Sequence, residues 1–127
     1  AWILGRTAME DDAIQGYEVK AGTEVIVPIF HIHRNPHFWE KPEVFDPERF
    51  APGKEEQRHK FQYLPFGGGP RLCIGQNFAM VEMLLILADA LYRYELQPQT
   101  KGEVGITPLI TLKPSDKIFF KLKRRQG

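Results

Sequence analysis

The chain has 127 residues, 43% of them apolar and 26% charged, with 17 basic and 16 acidic side chains for a net charge of +1. That length fits one domain or a piece of a larger one, and the composition excludes a disordered or collagen-like chain. The near-balanced charge gives no basis for binding nucleic acid or an anionic membrane, and the single cysteine excludes a disulfide framework within the chain and argues against a structural zinc site built on cysteines.

In chain order, the first thirty residues read as β. A short strand is expected before Gly16, Tyr17-Glu18-Val19-Lys20 alternates, Ala21-Gly22-Thr23 turns, and Glu24-Val25-Ile26-Val27-Pro28-Ile29-Phe30 is rich in β-branched residues. One helical turn is expected within residues 31–36. Pro36, Pro42, Pro47 and Pro52 then rule out long helices and interior strands. Phe38, Trp39, Val44, Phe45 and Phe50 lie in the same stretch, so residues 38–64 are expected to be an ordered, packed loop rather than a linker, with residues 54–60 (KEEQRHK) as its exposed polar part.

The spacing predicts one long helix, Gln76–Arg93, free of Gly and Pro. Between residues 78 and 92 only Glu82 and Asp89 are charged, and their separation puts them on one narrow stripe. Asp89 and Arg93 form an i, i+4 pair. A helix apolar on almost every face belongs inside a large protein, and the chain holds no second long helix to cover it. The missing upstream part of the same protein is the expected partner. Past the helix, Tyr94-Glu95-Leu96 returns to β, residues 104–112 are expected to form a hairpin turning near Thr107-Pro108, and residues 117–123 a last strand, with residues 124–127 fraying. The chain opens on Ala1 rather than Met, as a processed or excised piece would. Trp2-Ile3-Leu4 is too short for a signal-peptide core, and residues 78–92 fall short of the roughly 20 apolar residues of a membrane span. A soluble, cytoplasmic location is expected, an anchor on an upstream segment being left open.

The chemistry concentrates in residues 65–75, P-F-G-G-G-P-R-L-C-I-G. The loop offers several backbone N–H groups near one sulfur, the positive end of the following helix points the same way, and Arg71 adds a cation two residues from Cys73, an environment that suits a thiolate. Three readings are open on these residues: a buried structural cysteine, a reactive nucleophile or redox thiol, and an axial ligand to haem iron. None of His31, His33, His37 and His59 lies in a recognisable base motif, which counts weakly against a Cys–His pair. No C-x-x-C-H is present, so haem would not be held through thioethers.

Phe66-x-x-Gly69-x-Arg71-x-Cys73-x-Gly75 resembles the haem-binding signature of the cytochrome P450 family at every fixed position. Asp46-Pro47-Glu48-Arg49-Phe50 is similar to that family's Pro-Glu-Arg-Phe element. Phe38-Trp39-x-x-Pro42 and His33-Arg34-Asn35-Pro36 resemble the stretch before it, and Gly16-Tyr17-x-Val19-x-x-Gly22-Thr23 resembles the family's β-hairpin. The likeness covers nearly the whole chain but only the C-terminal third of the family's fold.

The resemblance implies an α+β fragment of a mainly α fold: short β-hairpins, a long ordered proline-rich loop and one long buried helix, with residues 1–127 the haem-ligand portion. It implies haem b (iron protoporphyrin IX), with Cys73 as thiolate ligand and Arg71 and Arg6 on its propionates. Phe66 would shield the sulfur, Gly69 and Gly75 would allow close backbone approach, Ala79 would lie under the macrocycle, and Gln76 would bring a backbone N–H to the sulfur. For Arg6 a solvated strand end is the bland alternative. Arg49 would join a Glu and an Arg of an upstream helix that this chain lacks. Trp2, Ile3, Leu4, Thr107, Pro108, Leu109 and Ile110 are the remaining substrate-contacting positions, whose bland reading is β packing.

The implied activity is a haem-thiolate monooxygenase inserting one oxygen atom from O2 into a small apolar substrate, supplied with electrons by a donor protein or reductase domain. Lys54, Arg58 and Lys60 are candidate docking cations for that donor. The loop and the complete Pro-Glu-Arg-Phe element look more like the branch that includes fatty-acid hydroxylases than the camphor-type bacterial enzymes. The alternatives are a haem-thiolate isomerase or peroxygenase, and a non-catalytic fragment that binds no haem.

Overall fold

The computed structural model describes residues 1–125, and these form two compact units, residues 1–71 and the residues from Leu72 on. In the first, β1 (Leu4–Thr7) pairs antiparallel with β4 (Glu24–Val27), Leu4 opposite Val27 and Thr7 opposite Glu24. Between them β2 (Asp12–Ile14) and β3 (Tyr17–Val19) form a two-residue hairpin, Ile14 opposite Tyr17. Its turn residues Gln15 and Gly16 have φ of 50° and 87°, the left-handed pair that matches the twist of the strands.

The strand expected to run through Phe30 stops at Val27. Pro28 has no N–H to give a ladder, and its carbonyl instead accepts from His31 and Ile32, both at 3.0 Å, which opens the short helix α1 (Ile29–Ile32). Phe30 N–H donates to the Trp2 carbonyl at 2.9 Å, tying α1 to the start of the chain.

The proline-rich stretch packs around Trp39, which is 7% exposed and donates its indole N–H to the Ile32 carbonyl at 3.2 Å. The ring of Tyr63 lies 6.2 Å from that of Trp39 and 4.9 Å from that of Phe50. Asp46 caps the single 3-10 turn Pro47–Phe50 by accepting from Glu48 N–H at 3.0 Å. The packing is narrower than the sequence reading had it: Val44 is exposed and Phe45 is 93% exposed. Arg49 keeps partners although the upstream carboxylate is not in the chain. Its guanidinium donates to the carbonyls of Glu40, Lys41 and Val44 and lies 3.9 Å from Asp46. Within the polar run 54–60, Arg58 is half-buried, donating to the Arg49 carbonyl at 2.6 Å and lying 4.6 Å over the Phe50 ring.

In the second unit α2 (Gln76–Arg93) has the predicted bounds and runs straight into β5 (Tyr94–Pro98), which pairs antiparallel with β8 (Phe120–Arg124). The Asp89–Arg93 pair closes at 2.7 Å. Strands β6 (Ile106–Pro108) and β7 (Leu112–Pro114) form the remaining hairpin. Its turn lies at residues 109–111 rather than at Thr107-Pro108, because Pro108 sits at a strand end, where its missing N–H costs nothing. Arg124 does not fray but pairs with Tyr94, and Arg125 N–H donates to the Arg93 carbonyl at 2.8 Å. Gln126 and Gly127, also expected to fray, lie outside the described residues.

No residue of α2 is buried in this chain; Phe78 is 75% exposed, and Leu84, Leu85 and Ile86 are exposed beside it. Contiguous apolar surface of this kind marks an interaction face. Expressed by itself, the chain is therefore expected to self-associate at micromolar concentration, which sedimentation velocity reads directly. A single monomeric boundary with no binding of a hydrophobic dye would contradict this.

Candidate functional site

Cys73 is an exposed free thiol in the loop that opens α2. Among the described residues no group of three or more His, Cys, Asp or Glu side chains could hold a metal ion. Gly75 is the N-cap of α2, with φ of −83°. A Cβ there would sit 3.8 Å from the Cys73 sulfur, its nearest neighbour, so the glycine leaves that flank of the sulfur open. Ala79, half-buried in the first turn, donates its N–H to the Gly75 carbonyl at 2.9 Å. The Gln76 N–H donates to the Cys73 carbonyl at 3.3 Å. Leu72 and Ile74, on either side of the cysteine, are exposed.

The first unit contains the preceding half of the motif. Gly67 and Gly69 have φ of 78° and 69°, left-handed conformations that side chains rarely adopt. They let the chain turn sharply into the 3-10 segment Gly69–Arg71. Phe66 is half-buried. Arg71 is exposed, and its guanidinium makes no hydrogen bond or ion pair within hydrogen-bonding or salt-bridge range among the described residues. A cleft of about 360 Å³ lies beside the motif, lined by Leu4, Arg6, Val27, Phe61, Leu64 and Gly69 among others. Among the described residues Arg6 is its only ionisable lining residue, and that guanidinium donates there only to the neighbouring Gly5 carbonyl, at 2.8 Å.

The sequence-predicted residues thus fall as follows. Leu4, Arg6 and Gly69, far apart in the chain, meet in one cleft because β1 pairs with β4 beside the motif. Trp2 is half-buried ahead of β1. Leu109 and the 92%-exposed Ile110 occupy the turn of the β6–β7 hairpin. Sequence reasoning missed Val27, Ile32, Phe61, Leu64 and Gly68, which complete the cleft wall. The signal for them was indirect: apolar residues at the ends of β4 and α1 and just before the motif.

In the first unit, an apolar cleft with one cation and an uncommitted guanidinium on Arg71 suit an apolar group with an anionic edge. In the second, one exposed thiol beside a glycine at a helix start suits a metal that takes a soft ligand.

The family model described as Cytochrome P450 matches residues 2–122. The chain is 40% identical over 126 residues to cytochrome P450 4V2 of Homo sapiens, covering 98% of this chain and 24% of that protein. It is 41% identical over 126 residues to putative cytochrome P450 132 of Mycobacterium tuberculosis, covering 98% and 27%. The crystal structure of the cytochrome P450DA heme domain superposes with a TM-score of 0.89 at 32% identity, covering 98% of this chain and 28% of that one. The chain therefore spans about a quarter of the length of the relatives it matches. No helix among the described residues is long and apolar enough to cross a membrane.

Proposed function

The chain belongs to the cytochrome P450 family, and from that membership we propose that it carries the haem-ligating side of a monooxygenase acting on a small apolar substrate. The observation that carries this reading is Cys73: the only cysteine of the sequence, exposed, and set at the start of α2 in the order Phe66, Gly69, Arg71, Cys73, Gly75.

In this reading the Cys73 thiolate is the protein ligand to the iron of haem b, and the haem, when bound, supplies reductive activation of O2. The residues of the chain do the rest. Arg6 and Arg71 hold the carboxylate edge, as guanidinium suits carboxylate. Leu4, Val27 and Phe61 exclude water from the cleft. Phe66 keeps oxidants from the sulfur, the Gly75 backbone leaves it reachable, and Ala79 offers a small face to the macrocycle. Trp2, Leu4, Leu109 and Ile110 contribute apolar surface to the substrate. Lys54, Arg58 and Lys60 are the docking cations for an electron-donor protein; Arg58 also donates to the Arg49 carbonyl and lies over the Phe50 ring, and Lys60 lies 4.7 Å over the Phe61 ring.

The test is turnover of the full-length protein with a reductase and isotopically labelled dioxygen. Monooxygenation puts one labelled atom in the product and one in water. Product formed only with added peroxide would replace this reading with peroxygenase chemistry, and rearranged product without label would replace it with isomerase chemistry.

A further inference from the structure

Leu64, in the wall of the Arg6 cleft, is held by a residue on the far side of the loop. Its backbone N–H donates to His33 Nε2 at 2.8 Å, across 31 positions of sequence. A backbone N–H can donate only to a bare ring nitrogen, so His33 is neutral here with its proton on Nδ1. The imidazole is itself fixed: His33 is the C-cap residue of α1, its N–H donating to the Ile29 carbonyl at 3.0 Å, and its ring lies 5.1 Å from that of Tyr63. Leu64 in turn presses on the signature loop. Its side chain lies 3.2 Å from where a Cβ on Gly68 would stand, and both residues line the cleft with Arg6.

We propose that His33 is a positioning residue for the cofactor cleft, its neutral imidazole seating Leu64 against the Gly68 backbone and so setting the wall that faces Arg6. The inference rests on the reading of that cleft as part of the haem site. Protonation of His33 removes the acceptor and turns an N–H toward another N–H, so the seat is lost.

The groups facing His33 set when this happens. Burial holds its pKa below the ordinary value, and the adjacent Arg34 cation adds to the effect. Arg49, Asp46 and Tyr63 are the other ionisable residues lining the cavity next to it. The Asp46 carboxylate is engaged with Glu48 N–H and Arg49. The sign follows: a depressed histidine pKa means that the stabilising contact is complete above the ordinary histidine pKa and is lost as pH falls through the lower, folded value.

The experiment is haem transfer from the full-length protein to a scavenger globin as a function of pH, for the parent, His33→Gln and His33→Phe. Gln keeps an acceptor at the Nε2 position and does not titrate. Phe keeps the ring and removes the acceptor. The parent's loss rate is expected to climb as pH falls below the ordinary histidine range, by about tenfold more than that of His33→Gln, the scale of one hydrogen bond. Taking the difference from His33→Gln removes the contribution of carboxylates and propionates common to both. His33→Phe is expected to lose haem about tenfold faster already at neutral pH, and to lose the amide-exchange protection of Leu64 that the parent and His33→Gln retain.

Parallel pH profiles for parent and His33→Gln, or intact Leu64 protection in His33→Phe, would overturn the proposal. These results are distinct from failure of the haem reading, in which no variant takes up haem at all while Leu64 exchange still follows His33.

Discussion

Cys73→Ser in the full-length protein is expected to abolish substrate oxygenation driven by a reductase, and Cys73→His to do the same while keeping a ligand for iron. The effect is large because the sequence offers no substitute: there is no second cysteine, and among the described residues no other cluster of ligating side chains. A serine hydroxyl is a poor iron ligand. A histidine binds iron but does not push electron density onto it as a thiolate does, and that push favours O–O cleavage. The fold should tolerate both changes. Cys73 is exposed, and even a Cβ added at the flanking Gly75 would meet its sulfur only at ordinary van der Waals distance. Folding is followed by circular dichroism and activity by product analysis. Undiminished turnover in either variant would remove Cys73 from the site.

The second large effect is expected from the arginines. Arg6→Ala and Arg71→Ala should each speed haem loss to a scavenger globin about tenfold, and the double variant should approach a hundredfold. A charge-assisted hydrogen bond contributes roughly 1.5–3 kcal/mol; both guanidiniums are exposed in this chain, which places each at the low end. Neither side chain is needed elsewhere. Among the described residues Arg6 donates only to its neighbour's carbonyl, and Arg71 has no hydrogen-bond or ion-pair partner. A lysine at either position should recover part of the loss, since it restores charge without the two-pronged geometry. Loss rates matching the parent's in both alanine variants would mean that these arginines only face solvent.

What could be read from the residues depended on how local the cause was. Helix α2 has the expected bounds because its signals are contiguous: a glycine before it and eighteen residues free of Gly and Pro. The motif around Cys73 is likewise a run of neighbours. Errors came where proline has two local solutions. Pro28 reads as part of a strand but opens α1, and Pro108 reads as a turn but ends a strand. The gathering of Arg6, Leu64 and Gly69 into one cleft was out of reach, since it follows from the β1–β4 register and the course of the proline-rich loop. His33 was hidden for the same reason: it acts through a hydrogen bond to Leu64, and its neighbours in sequence carry no sign of that. Arg58 looked like one more exposed cation in a polar run, and only the fold gives it the Arg49 carbonyl and the Phe50 ring.

The claim on which the rest depends is that Cys73 ligates haem iron through sulfur. The absorption spectrum of the full-length protein, reduced and saturated with carbon monoxide, tests it most directly when recorded beside Cys73→His. A thiolate opposite carbon monoxide gives the long-wavelength band for which the family is named, and the account predicts that band in the parent and its displacement to shorter wavelength in Cys73→His. The same band in both proteins, or no haem absorption in the parent, would contradict the account.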